Sequence, residues 1–345
     1  MKDTVECSRR EHNIRRKARK KLLARIVSLV LVFALGFFVG KSCENKQLVG
    51  DVVETTAPVT ADETADEVDS ETVSDPRVAS ETEELNDLMN GFVEEFKKLY
   101  PTATISIAIK NLDTGAQVIH NNVKMNSASV IKLFILETVF TKVQKGEYTL
   151  TEDAMNDLTV MITKSDNNAA NRFIDDFGGV NENRKADETN GINVHIREAG
   201  YKHTVLERKM HDVTPPEGPS GFQNYTCAGD VLTFLDKLFK KELFTEPYNT
   251  QTLELMKKQQ RTSKIPGKIK NKYPGVTVAN KTGELSQVEN DVAVIMGDDY
   301  NIAFVVLVGD IPFKSDGSTD YALKERVQGT IADFGLELVE YYESR

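Results

Sequence analysis

Residues 127–135 read Ser-Ala-Ser-Val-Ile-Lys-Leu-Phe-Ile. The run continues through Leu136 and Glu137 as the opening of a buried helix, yet it sets Lys132 among Val130, Ile131, Leu133, Phe134 and Ile135. An ammonium inside an apolar helix is costly unless something compensates it. Ser129 lies three positions earlier, and positions three apart share a helix face. At a helix start, free backbone N–H groups and the positive end of the dipole favour developing negative charge. A serine hydroxyl becomes a good nucleophile only when a base takes its proton. A lysine serves as that base once burial or a nearby cation lowers its pKa. The residue that is misplaced for packing is well placed to activate Ser129.

One Ser-x-x-Lys is weak on its own, since average composition supplies about one or two in a chain of this length. Its plain alternative is a surface helix face with Lys132 in solvent. Two further triplets change the weighting. Ser165-Asp166-Asn167 joins two helical pieces of "DLTVMITKSDNNAANRFIDDFGG", and Lys281-Thr282-Gly283 ends the alternating strand "VTVANKTG". Each triplet is expected by chance only about 0.05–0.1 times per chain. In this order, at a helix start, an inter-helix loop and a strand end, they are the three elements of penicillin-recognising serine enzymes.

The surrounding periodicity supplies a fold. Leu85, Leu88, Phe92, Phe96 and Leu99 recur at helical spacing. "TISIAIKNLDTGAQVIHNN" reads as strand, turn at Asp113-Thr114-Gly115, and strand. The nucleophile stretch forms a helix through Lys142, and "GDVLTFLDKLFKKELF" forms another. "GVTVANKTGE", "DVAVIMGDD" and "NIAFVVLVGDI" are three strands, and a last helix runs from about Asp320 to Tyr342. Strands near both ends with helices between them predict one sheet built from the two termini and a helical subdomain in the middle.

On these motifs the domain resembles the class A β-lactamases over most of 86–345. "LDTGAQVIHNN" followed by "MNSASVIKLF" resembles that family's entry into its nucleophile helix, and "REAGYKHTVLER" the lead into its omega loop. The resemblance implies an α/β (α+β) fold of the β-lactamase/transpeptidase type: a five-stranded antiparallel sheet flanked by helices, plus an all-helical lobe, with the active site between them. It implies Ser129 as the acylated nucleophile and Lys132 as its general base or proton relay. Ser165 would pass a proton to the leaving nitrogen, and Asn167 would bind the substrate's side-chain amide. Lys281 and Thr282 would attract the substrate carboxylate, and Lys281 would also lower the pKa of Lys132, cation against cation. Gly283 continues the substrate-binding strand, and the N–H groups of Ser129 and Glu284 would form the oxyanion hole. No metal and no cofactor is implied.

The sequence also departs from the family. Its deacylating glutamate lies in a Glu-x-x-Leu-Asn element that is missing here. Aligned on Arg208 of "TVLERKMHDVTPPEGPSGFQNYT", the glutamate position falls near Met210, which cannot activate water. Glu207, Asp212 and Glu217 are nearby acids that read as surface or loop-closing residues. The arginine that often holds the substrate carboxylate is absent from "ELSQVENDVAV", and Glu284 puts an acid at the pocket edge, where it would repel anionic substrates. The acylation set is untouched by these changes. Three activities follow: hydrolysis of β-lactam amides, a D-alanyl-D-alanine peptidase acting on peptidoglycan stem peptides, or a penicillin-binding or wall-binding module that does not turn over.

Charge divides the chain of 345 residues further. Residues 1–43 hold eleven basic and three acidic residues, residues 44–85 hold two basic and thirteen acidic, and the overall net charge of −10 leaves −7 on the remainder. A mildly acidic domain argues against nucleic acid as a partner. Residues 1–25 read as a basic cytoplasmic tail and 26–43 as a transmembrane signal anchor, whose apolar run Ile26 to Gly40 is short but extended by snorkelling Arg25 and Lys41. A cleaved signal peptide, with Gly40 and Ser42 near the cut, and a lipidated Cys43 are the alternatives. Residues 44–80 read as a disordered acidic linker, and 81–345 as a single catalytic domain, monomeric and held outside the cell membrane by a single pass. Cys7, Cys43 and Cys227 make no disulfide framework, and the five histidines show no metal-ligand spacing.

Overall fold

A computed structural model of the chain describes residues 75–179, 191–210 and 223–345. The basic tail 1–25, the apolar segment 26–43 and the linker up to 74 lie outside the described residues. Among the described residues no helix is long and apolar enough to cross a membrane.

The first helix, α1 (Pro76–Leu99), starts before the expected boundary at 81. Asp75 caps it by accepting the Arg77 N–H, and Pro76 occupies the first turn, where its missing N–H costs nothing. Leu85, Met89, Phe92, Val93 and Phe96 form its buried stripe, while Leu99 stands 54% exposed beyond the stripe's end.

Strands β1 (Thr104–Asn111) and β2 (Gln117–His120) form the predicted hairpin, closed by Gly115 at φ +85°. Strands β5 (Thr277–Leu285), β6 (Val288–Met296) and β7 (Asn301–Gly309) form an antiparallel meander. The sheet order is β2-β1-β7-β6-β5. β1 pairs with β7 from Thr104 opposite Gly309 to Asn111 opposite Ile302, so the two ends of the domain meet in the middle of the sheet.

Because side chains alternate along a strand, each face has its own core. Ile105, Ile107 and Ile109 of β1, with Ile302, Phe304, Val306 and Val308 of β7, face α1 and the last helix, α9 (Tyr321–Glu343). There Phe334 stacks on Phe92 at 3.9 Å and meets Phe304 edge-on at 5.2 Å. Ala108, Ala303, Val305 and Leu307 face the helical lobe instead. Helices on both sides explain why β7 reads as a continuous apolar run rather than an alternating one.

The lobe contains α2 (Lys132–Gln144), α3 (Glu152–Thr163), α4 (Asn167–Asp176), α5 (Gly191–Glu198), α6 (Ala228–Phe239) and α7 (Tyr248–Lys257), whereas α8 (Pro266–Lys272) packs on the other face of the sheet, where Ile269 joins the core of α1 and α9. α2 is buried at every position from Lys132 to Phe140, which makes it the axis of the lobe. The sequence pattern did not predict α7, α8 or the two-residue pair β3 (Met125–Asn126) with β4 (Tyr225–Thr226). α7 buries Asn249 and Thr252 beside Leu255 and Met256, so hydropathy traces no clean stripe along it.

Candidate active site

The nucleophile sits on a tight turn rather than in the helix body. Ala128–Ile131 form one turn of 3-10 helix that runs into α2 at Lys132. Ala128 is held at φ +44°, a strained value for a residue with a Cβ, and its N–H is fixed by the Asn126 side chain at 3.0 Å. The Ser127 N–H donates to the Asn224 carbonyl at 2.8 Å, tying the turn to β4's approach. Ser165 also has positive φ, at +61°, between α3 and α4. Strain of this kind persists where surrounding contacts enforce it, and here it falls on Ser165 itself and on the residue before Ser129.

Lys132 is completely buried, and its Nζ lies within hydrogen-bonding distance of four oxygens that share its N–H groups: Ser129 Oγ at 3.1 Å, the Ser165 carbonyl at 2.7 Å, Ser165 Oγ at 3.3 Å and Asn167 Oδ1 at 2.5 Å. Burial pushes its pKa down to about 7; Asp166 opposes the shift and Arg261 adds to it. A lysine titrating there is neutral often enough to accept the Ser129 proton. The compensation for an ammonium in this helix is therefore a ring of oxygens together with a pKa that lets it discharge.

Lys281 is equally buried and donates to Ser165 Oγ at 3.0 Å and to the Thr282 carbonyl at 2.7 Å. Its pKa is driven well down, first by burial and then by Lys132 and Arg261. Burial is the leading cause at both lysines, Arg261 adds to it at each, and the repulsion between two cations that share one hydroxyl is mutual. Ser165 Oγ bridges both nitrogens, the geometry of a proton relay.

β5 runs against the nucleophile turn. A Cβ on Gly283 would stand 2.7 Å from the Ser127 carbonyl oxygen and 3.2 Å from the Ser129 nitrogen, so only glycine allows this approach. Gly283→Ala should push the turn off the strand. Overpacking of this kind costs about 1–3 kcal/mol, and thermal unfolding together with acylation rate would record it; unchanged values for both would contradict the close contact.

Ser129, Ser165, Asn167, Thr282 and Glu284 line a cavity of about 300 Å³ with Arg261, Ser286, Thr319, Tyr321 and Lys324. The predicted site residues Ser129, Lys132, Ser165, Asn167, Lys281, Thr282, Gly283 and Glu284 are thus brought together. Glu284 does not stand as an unpaired acid. Its Oε2 takes Arg261 Nη1 at 2.7 Å and its Oε1 takes Lys264 Nζ at 2.6 Å. Burial alone would raise its pKa, but these cations outweigh it and hold the carboxyl below its ordinary range.

Several residues of the site had no linear marker. Arg261 and Lys264 come from the loop between α7 and α8, and Lys324 from the first turn of α9. Asp291, on β6 opposite Thr282 of β5, is fully buried and accepts from the Ile265 N–H at 3.0 Å and Asn280 Nδ2 at 2.9 Å; burial pushes its pKa up to about 6.

Met210 is held by α4. Asn171, one turn beyond Asn167 on α4, clamps the Met210 backbone with both ends of its amide: Nδ2 donates to the Met210 carbonyl at 2.9 Å, and Oδ1 accepts its N–H at 2.7 Å. The Met210 side chain packs into the lobe core. Of the nearby acids, Glu207 lies 3.7 Å from Lys124, and Asp212 and Glu217 lie outside the described residues.

The model of the β-lactamase enzyme family matches residues 82–157 and 154–342. The mycobacterial protein LppW of Mycobacterium tuberculosis, named as a candidate lipoprotein, is 37% identical over 138 residues, 39% of this chain and 38% of LppW. The chain thus matches about two-fifths of that curated relative's length. Among solved structures, a β-lactamase from Sphaerobacter thermophilus superposes with a TM-score of 0.59 and 22% identity, covering 73% of this chain and 98% of that one. A PBP-A mutant in an acyl-enzyme complex with penicillin G superposes with a TM-score of 0.58 and 24% identity, covering 72% and 96%. The two superpositions report the fold alone, a β-lactamase/transpeptidase-like architecture. With the family model spanning nearly all of the described domain, the chain belongs to the β-lactamase enzyme family.

Proposed function

We propose that this protein is an active-site-serine acylating enzyme of the class A β-lactamase type, in which β-lactam amides acylate Ser129 and the resulting ester is hydrolysed slowly. The observation that carries this reading is the contact of Lys132 Nζ with Ser129 Oγ at 3.1 Å, at a pKa of about 7. Neutral Lys132 takes the Ser129 proton as Oγ attacks the amide carbon. The oxyanion is met by the N–H groups of Ser129 and Glu284, brought together by the strand contact at Gly283. Collapse of the tetrahedral intermediate expels the nitrogen, which takes a proton from Ser165 Oγ. Ser165 is resupplied through Lys132 and Lys281, which both hydrogen-bond it. Asn167 binds the substrate side-chain amide, and Thr282, Lys281 and Arg261 draw its carboxylate.

Slow release follows from the residue at the base position. A methionine thioether takes no proton from water, so the ester lacks the general base worth about 10²–10⁴-fold. A D-alanyl-D-alanine peptidase acting on peptidoglycan stems is the second reading, favoured by the same feature, because such a site need not clear a β-lactam. Residues 26–43 would anchor the protein in the membrane with the domain outside, a placement in keeping with the description of LppW as a candidate lipoprotein. Penicillin capture by the PBP-A fold supports a β-lactam as ligand.

Labelling with a fluorescent penicillin tests this directly. The wild-type protein is expected to carry the label through denaturing electrophoresis, and Ser129→Ala to carry none. A label that persists in Ser129→Ala would remove the nucleophile assignment.

A further inference from the structure

Glu284 and Glu289 lie directly opposite each other across β5 and β6. Two carboxylates in that register repel, and Glu289 is fully buried. Lys264, also fully buried, resolves the conflict: its Nζ lies 2.6 Å from Glu284 Oε1 and 3.0 Å from Glu289 Oε2. Burial would lower its pKa, but Glu289, Glu284 and Asp291 raise it, so it stays charged. Lys324 closes the inner end at 3.1 Å from Glu289 Oε1, where Gln328 adds a hydrogen bond at 3.0 Å. Arg261 closes the outer end on Glu284. The result is an alternating row, Arg261–Glu284–Lys264–Glu289–Lys324, three cations to two anions. Both terminal cations line the cavity that holds Ser129.

The outer end differs from the rest. Arg261 is half exposed, and its one ion pair, Nη1 with Glu284, engages one of the five donors a guanidinium carries. Glu284, in contrast, keeps Lys264 whether or not Arg261 stays. The pair can therefore open toward the cavity without leaving a buried carboxylate unpaired, the costly outcome for such a network.

We infer that Glu284 sets the site's selectivity for carboxylate-bearing substrates by acting as a built-in competitor for Arg261. In the free protein the Glu284 side chain occupies the guanidinium. An incoming carboxylate must take it over, and Lys264 holds Glu284 while it does so. A ligand with a C-terminal carboxylate thus meets a tax that an uncharged ligand does not. This rests on the acylating-enzyme reading for the substrate class, but its test is separable from that reading.

The test measures equilibrium binding in the full-length Ser129→Ala background, where no acylation occurs. The probes are N-acetyl-D-alanyl-D-alanine and the same dipeptide with a C-terminal amide. Adding Glu284→Gln should tighten binding of the free acid about fivefold, the size of one half-exposed ion pair, and leave the amide unchanged. Glu284→Ala, which removes the competing carboxylate outright, should give a gain in the same direction. Adding Arg261→Ala should abolish both gains. Unchanged or weaker binding of the acid, an equal gain for the amide, or no detectable binding of the acid in any variant would overturn the inference. Failure of the acylating-enzyme reading shows elsewhere, as absence of a penicillin label on wild-type Ser129.

Discussion

Replacing Lys132 by methionine should slow acylation of Ser129 by about 10²–10⁴-fold, the usual contribution of a positioned general base. Methionine fills similar space in the axis of the lobe, but it cannot take the hydroxyl proton. In the wild type the rate should follow the neutral fraction of Lys132. It rises with pH through about 7 and levels off above, because the base form is the deprotonated one. The sign for stability runs the same way. Lys132 binds a proton less readily when folded than in the unfolded chain, so its contribution to stability falls as pH drops from its ordinary range toward about 7. Removing it should therefore spare thermal stability at neutral pH while activity collapses. Stopped-flow acylation rates and thermal unfolding across pH 5–9 check both halves. A rate that is flat with pH, or a large loss of stability with the rate retained, would show that Lys132 serves packing rather than proton transfer.

The second large effect is a gain. Met210→Glu places a carboxylate where Asn171 fixes the backbone from both sides, one helical turn from Asn167 and its partner Lys132. A carboxylate that reaches the ester should activate water and speed deacylation by about 10²-fold or more. The surroundings also raise its pKa, since Met210 is packed in the lobe core. Deacylation should therefore increase with pH in the range where the new acid ionises. Acylation should change little, because Ser129, Lys132 and Ser165 keep their contacts. Following the decay of a penicillin adduct in Met210→Glu beside the wild type measures this. Equal decay rates would mean that release is limited by something other than the missing base.

Much of the site was legible in the sequence because the three motifs are local, and each falls where one backbone event positions it. Lys132 could be singled out only because it breaks an apolar run. Ser165 and Lys281 followed as loop and strand-end residues, and the structure joins them through one hydroxyl. The central sheet was legible because β1, β5, β6 and β7 are long runs with abrupt turns. β3 and β4, two residues each, have no period to detect. Arg261, Lys264 and Lys324 were invisible for a different reason. Each is an ordinary basic residue in a basic neighbourhood, and only tertiary packing assembles them around Glu284 and Glu289. Reading Glu284 as a repelling acid was the consequence, since its partners lie 20 or more positions away. The Asn171 clamp on Met210 had no linear marker, because it addresses backbone atoms and is indifferent to the side chain there.

The chemistry proposed for Ser129 joins an acylation step that works to a release step that lacks its base. Intact mass of the purified protein mixed with benzylpenicillin, followed over time, measures both at once. The predicted result is a gain of one penicillin per chain, located on the peptide containing Ser129, that persists after free drug is removed. An adduct that vanishes as the drug is consumed, or no adduct at all, would contradict it.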